Sequence, residues 1–261
     1  MREDRLFVAR RGRGWNEARR ALARVVTLVP EASARTTRSY FDTFDWRFHR
    51  AGLQLEASDG VVSLRDATSA EALASGSWRG EAEIRYPRDL SPPILRDRVA
   101  ALAGPRALFE VARARVTAEE VAVRDERGRR VARVRSEAMV VRRAGNARSL
   151  RVAFVEVGKD ARRADTHAAI RRALALAGYR PAAGSAYARL LALAGRRPDD
   201  YAPRPRIEMA AGAPLGVAMA AIFQHLLAVM ARNEPGLERD LDPEFLHDYR
   251  VALRRTRTAL S

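Results

Sequence analysis

The feature that most constrains the fold is a run of short segments in which apolar and polar residues alternate. The clearest are residues 111–116, 120–123 and 130–141, and Arg127 and Gly128 mark a turn before the last of them. Alternation with a period of two places successive side chains on opposite faces of an extended chain. Each segment therefore predicts a half-buried β-strand.

Other periodic segments extend this pattern along the first 195 residues. Further strands are predicted at residues 6–8, 38–43, 51–55, 60–65, 81–86 and 150–157. Helices are predicted at residues 16–29, 94–103, 166–177 and 185–194, where apolar residues recur at helical spacing. Many short strands with a few interrupting helices are typical of an antiparallel β tunnel or barrel with flanking helices, so we expect an α+β fold.

Composition excludes several kinds of chemistry. The chain has 261 residues and 47% hydrophobic residues, enough for a sizeable core, and it contains no cysteine. A disulfide framework, thiolate catalysis and a zinc–cysteine site are therefore excluded. The first residues lack the apolar run of a signal peptide, so we expect a cytoplasmic protein.

The formal net charge of +16 predicts affinity for polyanions. All of the excess lies in residues 1–212, because residues 213–261 hold six arginines against six acidic residues. Alternation puts Arg113 and Arg115 on one face of their strand, and Arg133 and Arg135 on one face of the next. Such a face is either solvated or, in a closed barrel, the basic lining of a lumen.

The C-terminal stretch predicts a helix with sorted faces. Asp242 is a suitable N-cap residue, and Pro243 suits the first helical position. At 100° per residue, one stripe about 15 Å long collects His247, Arg250, Arg254 and Arg257, and Arg255 lies at its edge. The opposite side collects Phe245, Tyr249, Ala252, Leu253, Thr256 and Leu260.

A linker and one apolar helix precede this stretch. Residues 196–212 are rich in proline and arginine, which indicates a stiff linker. Residues 215–230 read as a helix that is apolar nearly all round, although Gln224 and His225 at its centre argue against a membrane span. Two helices cannot bury such a surface alone. We therefore expect either a truncated helical bundle in residues 213–261 or a partner that completes it.

The string from His247 to Arg257 resembles the signature of the CHAD domain, a helical bundle. That signature has a histidine, an arginine three residues on, and then an Arg-Arg-x-Arg cluster. The resemblance implies binding of inorganic polyphosphate through His247, Arg250, Arg254, Arg255 and Arg257.

Residues 1–195 resemble the CYTH family of triphosphate tunnel proteins, and CYTH followed by CHAD is a known arrangement. The matching pieces are Tyr40-Phe41-Asp42-Thr43, Arg79-x-Glu81-x-Glu83, Phe154-Val155-Glu156-Val157 and Ser185-Ala186-Tyr187. An active member holds a divalent metal with alternate carboxylates and acts on triphosphates inside the tunnel. Candidate phosphate-binding residues in such a tunnel are Arg79, Arg113, Arg115, Arg133 and Arg135.

The sequence departs from the pattern of the active family members. The first-strand Glu-x-Glu-x-Lys keeps at most one acid and has Leu6 for the lysine, and both arginines expected after Leu55 are replaced. The late Glu-x-Glu begins with Phe154, and Ala186 stands where a lysine is expected. The remaining candidate metal ligands are Glu81, Glu83 and Glu156.

The sequence therefore predicts a polyphosphate-binding protein with a catalytically inactive tunnel and no required cofactor. We also expect cytoplasmic localisation, with association with polyphosphate granules, and no membrane partner. The alternative is a metal-dependent triphosphatase that acts on tripolyphosphate or nucleoside triphosphates with magnesium or manganese. A nucleic-acid binder rests on net charge alone, because 7% aromatic residues form no clustered stacking platform.

Overall fold

The computed structural model describes nearly the whole chain. It covers residues 6–78, 84–143, 146–157, 162–182, 184–198, 200–204, 207, 210 and 212–260, without the side chains of residues 156, 157, 162 and 163. The strands are β1 Leu6–Ala9, β2 Thr27–Thr43, β3 Leu53–Ser58, β4 Val61–Asp66, β5 Ala72–Ser77, β6 Leu108–Arg124, β7 Arg130–Arg143, β8 Asn146–Val157 and β9 Tyr179–Pro181. The helices are α1 Trp15–Ala23, α2 Arg47–Arg50, α3 Pro93–Ala103, α4 Arg162–Leu176, α5 Ala186–Ala194, α6 Leu215–Glu238 and α7 Pro243–Leu260, with a short 3₁₀ turn at Pro87–Asp89.

Within the described residues, nine strands form one sheet in the order β5-β4-β3-β2-β6-β7-β8-β1-β9, and neighbouring strands run antiparallel. The predicted α+β class with an antiparallel sheet, followed by a helical hairpin, is confirmed. The segments predicted separately at residues 111–116 and 120–123 are parts of a single long strand, β6.

The first helix was predicted too long. Helix α1 ends at Ala23, whereas the apolar pattern had extended it to residue 29. Val25, Val26, Thr27 and Val29 are β-branched, which favours an extended backbone. Residues from Thr27 onward instead begin β2, where Thr27 pairs with Arg124 of β6.

The sheet is strongly curved around one face. Side chains from β2, β3, β4, β7 and β8 line a single cavity, although β4 and β8 are separated by four other strands in the sheet. Helix α5 packs against this concave face through Tyr187, Leu190 and Leu191. On the convex face, α1 and α4 cover β7, β8 and β1, and α3 covers β3 and β4.

In the C-terminal hairpin, α7 packs along one side of α6. Leu226, Val229 and Met230 of α6 meet Ala252 of α7. Helix α6 continues past Pro235 to Glu238, so the end predicted at residue 230 is wrong. Gly236 has a packing role there, because a Cβ at this position would overlap the ring of Phe245.

The other sides of α6 are open to solvent. Leu215 is 77% exposed, and Val217 and Leu227 are also exposed. By length and composition alone, α6 is apolar enough to cross a membrane, with a mean hydropathy of 1.6 and 17% of that stretch buried. The burial on several sides that its apolar sequence predicts is therefore not reached among the described residues.

Candidate functional site

Helix α7 begins where the sequence predicts. Oδ1 of Asp242 accepts the backbone N–H of Glu244 at 3.0 Å, which satisfies one of the free donors of the first turn. Pro243 is the first helical residue. Oδ2 of Asp242 accepts the N–H of Ala107 at 2.9 Å, so the cap also attaches the helix to the segment before β6.

The basic stripe of α7 faces solvent. Its four members, His247, Arg250, Arg254 and Arg257, are all exposed. The residues of α7 that are buried, Phe245, Asp248 and Ala252, lie on the opposite side of the helix. In the part of the chain that the structure describes, Arg250 and Arg254 form no ion pair with an acidic side chain, so both guanidinium groups remain available to an anion.

Arg255 has a different position from the other arginines of the motif. It is half-buried, and its Nη1 donates to the carbonyl oxygen of Pro203 at 3.1 Å. Arg255 therefore holds the linker against α7, and only its remaining donors are free for a ligand at the edge of the stripe.

The opposite side of α7 is attached to the sheet domain through a buried arginine. Arg106 is 1% exposed and lies between α3 and β6. Its Nη2 donates to Oδ2 of Asp248 at 2.5 Å, and its Nη1 lies 3.5 Å from Oδ1 of Asp242. Its Nε lies 3.8 Å from Oδ1 of Asp45, so one guanidinium neutralises carboxylates from both domains.

A tyrosine of the linker joins this buried group. The hydroxyl of Tyr201 donates to Oδ2 of Asp248 at 2.7 Å and accepts from Nδ2 of Asn233 at 2.9 Å. Burial raises the pKa of Tyr201, which keeps the hydroxyl a donor beside the carboxylate. The network therefore ties α6, α7 and the linker to the sheet domain.

Aromatic packing reinforces the same junction. The ring of Phe245 lies 4.7 Å from that of Phe44 and 6.2 Å from that of Phe109, both in the sheet domain. The guanidinium of Arg106 lies over Phe245, 5.4 Å from the ring centre. Sequence reasoning missed this junction, although one signal was present: Asp248 is a charged residue at the edge of the apolar face of α7, beside Ala252 and Phe245 on the helical wheel.

The concave face of the sheet holds a second group of charges, and these neutralise one another. Arg38 lies between two carboxylates, with Nη2 3.2 Å from Glu137 and Nε 3.7 Å from Glu56. Nε of Arg65 lies 2.6 Å from the second oxygen of Glu56, and Arg135 pairs with Glu137. Burial raises the pKa of Glu137, but Arg38 and Arg135 outweigh burial and lower it below its ordinary value. Glu137 therefore remains ionised, and both carboxylates are occupied by arginines.

Little space remains inside this face. The cavity lined by these charged residues has a volume of about 20 Å³, which is room for roughly one water molecule. Tyr187 of α5 stacks on Tyr40 with ring centres 5.4 Å apart and fills the rest. Ala186, which stands where the tunnel family has a lysine, is buried and offers no cation.

The arginines predicted to line a tunnel do not lie together. Arg135 lines the cavity, and Arg133 shares its face but pairs with Glu120 at 2.7 Å, outside the cavity. Arg113 and Arg115 alternate with Ala112, Ala114 and Val116, which pack in the concave core, so both point to the convex face. Arg113 there holds Glu110 at 2.6 Å.

The side chains of the candidate metal ligands all lie outside the described part of the structure. Arg79, Glu81 and Glu83 lie outside the described residues, and so does the side chain of Glu156. The backbone of Glu156 pairs with Arg133 in the sheet. Among the residues that are described, no group of three or more histidine, aspartate or glutamate side chains could hold a metal ion.

Comparison with known proteins found a family match and similar solved structures. Residues 221–261 match the family model of the CHAD domain, which confirms the family predicted for the C-terminal helices. A solved structure of HpAC1 from Hippeastrum, reported to have a dominant triphosphatase activity, is similar over 74% of this chain and 95% of that chain, with 12% identity and a TM-score of 0.44. No curated protein matches.

Proposed function

We propose that this protein binds inorganic polyphosphate along the solvent-facing side of α7. The proposal is carried by the two faces of α7, one exposed and basic, the other attached to the sheet domain. Its outward face presents His247, Arg250, Arg254 and Arg257, and its inward face is fixed to the sheet domain by Arg106. The cations are thus held on a rigid support before any ligand arrives, which lowers the entropic cost of binding.

The spacing of the stripe suits a chain of phosphates. His247 and Arg257 are ten residues apart, about 15 Å along the helix axis, and a cation recurs about once per turn. A guanidinium stays charged at all relevant pH values and binds two phosphate oxygens at once. A linear polyanion lying along α7 would therefore meet Arg250, Arg254 and Arg257 in succession.

We further propose that the concave face of the sheet is not catalytic. Arg38, Arg65 and Arg135 are the cations that a triphosphate would need there, and all three are paired with Glu56 or Glu137. A ligand would have to displace these carboxylates and α5 to enter a cavity of about 20 Å³. Breaking buried ion pairs is costly, so the closed arrangement is favoured.

A double variant in the stripe tests the binding proposal. Arg250→Ala with Arg254→Ala should weaken binding of long-chain polyphosphate by about tenfold or more for each arginine removed, since each lost charge-assisted contact is worth at least about 1.5 kcal/mol. The matched control is Arg10→Ala with Arg11→Ala, a neighbouring pair of exposed arginines in the turn after β1. Equal retention of the two variants on a polyphosphate matrix would overturn the proposal.

The triphosphatase alternative has its own assay. Phosphate release from tripolyphosphate and from a nucleoside triphosphate is measured with magnesium and with manganese. We expect no release above background from the full chain. Phosphate release by the wild-type protein that is lost in Glu81→Gln or Glu156→Gln would contradict the proposal that the concave face is not catalytic. It would make the sheet domain an enzyme, and it would leave the proposal for the stripe on α7 unaffected.

A further inference from the structure

A cleft at the junction of the two domains has the features of a second ligand site. Its volume is about 340 Å³, within the range of small-molecule pockets, which favour domain junctions. The turn after β2, the start of β6, the end of α5 and helix α6 all contribute to it. This junction cleft is lined by Thr43, Phe44, Trp46, Phe109, Glu110, Val111, Gly195, Arg196, Arg197, Asp200 and Arg232.

One wall of the junction cleft is aromatic and rigid. Phe44, Trp46 and Phe109 form it, and Phe44 is held by the ring of Tyr201 at 4.6 Å. Trp46 adopts a left-handed backbone conformation, with φ 60° and ψ 42°, which is unusual for a bulky residue. Such strain persists only where the surroundings impose it, and it concentrates at functional sites.

The turn that holds Trp46 is fixed by Asp42. The Asp42 carboxylate accepts the backbone N–H groups of Thr43, Phe48 and His49 at 2.8–3.0 Å. The N–H of Trp46 itself donates to the carbonyl oxygen of Thr43 at 3.0 Å. The aromatic wall is therefore preorganised for a ligand.

The rim of the junction cleft carries an excess of positive charge. Of its acids, Glu110 is paired with Arg113 at 2.6 Å and Asp200 with Arg232 at 3.1 Å. Two neighbouring exposed arginines, Arg196 and Arg197, are left to set the charge at the mouth.

The arginines at the mouth have a defined arrangement. Arg196 uses its Nε–H on the carbonyl oxygen of Val111 at 2.9 Å, which orients its terminal nitrogens. Arg143 lies directly against Gly195, in the space that a Cβ there would take. The guanidinium of Arg143 therefore lies beside the segment that carries Arg196 and Arg197.

From this combination we propose that the junction cleft binds a nucleoside phosphate. The base would pack on Phe44 and Phe109, which are half-buried, since planar rings stack on aromatic side chains. The phosphates would meet Arg196 and Arg197, whose forks match phosphate oxygens. The ligand would contact both domains and the linker, independently of polyphosphate on α7.

Calorimetric titration of the full chain with adenosine diphosphate, pyrophosphate and adenosine tests the assignment. Arg196→Ala with Arg197→Ala should weaken adenosine diphosphate about tenfold or more, through loss of charge-assisted contacts. Arg10→Ala with Arg11→Ala, and Arg250→Ala with Arg254→Ala, should leave it unchanged. Pyrophosphate and adenosine should each bind wild-type protein more weakly than adenosine diphosphate, because each uses only half of the cleft.

Each contrary result is informative. No binding of adenosine diphosphate, or equal binding by the Arg196/Arg197 and Arg10/Arg11 variants, overturns the site. Loss in the Arg250/Arg254 variant places the ligand on α7 instead. Phe109→Leu, which keeps an apolar side chain but removes a ring, should weaken adenosine diphosphate and leave pyrophosphate unaffected. If pyrophosphate binds as tightly as adenosine diphosphate, the nucleoside part of the assignment is wrong.

Discussion

Arg106 and Asp248 form a buried ion pair, with 2.5 Å between Nη2 and Oδ2, that joins the sheet domain to the helix carrying the basic stripe. Asp248 follows His247 directly in the chain. Within one turn of α7, Asp248 attaches the helix to the sheet domain and His247 faces solvent. The strength of the junction and the orientation of the proposed binding surface therefore depend on the same contact.

Replacement of Arg106 should be severely destabilising. Arg106→Met leaves Asp242 and Asp248 buried without a cation, and loss of one partner of a buried pair costs about 3–5 kcal/mol. Urea unfolding followed by circular dichroism measures the free energy of unfolding, with Arg11→Met as the exposed control. A loss below about 1 kcal/mol, the range of a surface ion pair, would show that the pair is not a buried anchor.

The two glycines of α6 should respond in opposite directions to alanine. Gly236→Ala places a Cβ into the ring of Phe245, and overpacking of this kind costs about 1–3 kcal/mol. Gly216→Ala has open space around it, and alanine there should stabilise by up to about 1 kcal/mol through helix propensity. Thermal unfolding of both variants checks this. Equal shifts would contradict the close contact between α6 and α7.

The stability of the sheet domain should carry a pH signature from Asp42. Burial raises the pKa of Asp42 from its ordinary value of 3.8 to about 6. A raised folded-state pKa gives stability that is fully present below pH 3.8 and is lost as the pH rises through 6.

Asp42→Asn isolates this contribution. The variant cannot ionise at this position, although its amide loses one acceptor for a backbone N–H. The wild-type free energy of unfolding, relative to the variant, should fall by about 3 kcal/mol between pH 3.5 and pH 7. Denaturant titrations across that range provide the measurement, and parallel pH profiles would contradict a perturbed Asp42.

Polyphosphate binding should depend on salt according to the arginines engaged. Each cation that neutralises a phosphate releases a counterion, so each arginine removed from the stripe should reduce the slope of log affinity against log salt by about one. Arg250→Ala and Arg254→Ala are measured singly and together, with Arg10→Ala as control. Identical slopes in wild type and double variant would place the phosphates elsewhere on the protein.

Local periodicity predicted the elements that depend on it. The start of α7, its exposed stripe and most of the strands follow from spacings within a few residues, and the structure has them. Strands β5 and β9 were not predicted. The strand predicted at residues 81–86 is absent from its described part, residues 84–86. The ends of α1 and α6 were misjudged. The β-branched residues Val25, Val26, Thr27 and Val29 favour an extended chain after α1, and α6 continues past Pro235, where Gly236 lies against Phe245.

Contacts between distant segments were not predictable in this way. A period of two shows that Arg113 and Arg115 share a face, but it does not show that the face is convex. Glu56 was read as the loss of an arginine from a phosphate site. Its carboxylate in fact pairs with Arg38 and Arg65 from neighbouring strands, which no single stretch of sequence reveals. Arg106 likewise meets its partners across more than 130 residues.

The two hydrogen bonds of the Asp242 carboxylate link the helical segment to the sheet domain. One oxygen of this carboxylate starts α7 and the other holds the backbone of Ala107, so the last helix begins on a residue that also belongs to the interface. A recombination that moved the helical segment to another protein would carry the cap but lose its second anchor. The start of the matched CHAD segment is thus not a boundary in cooperativity, and the two parts of the chain are expected to unfold together.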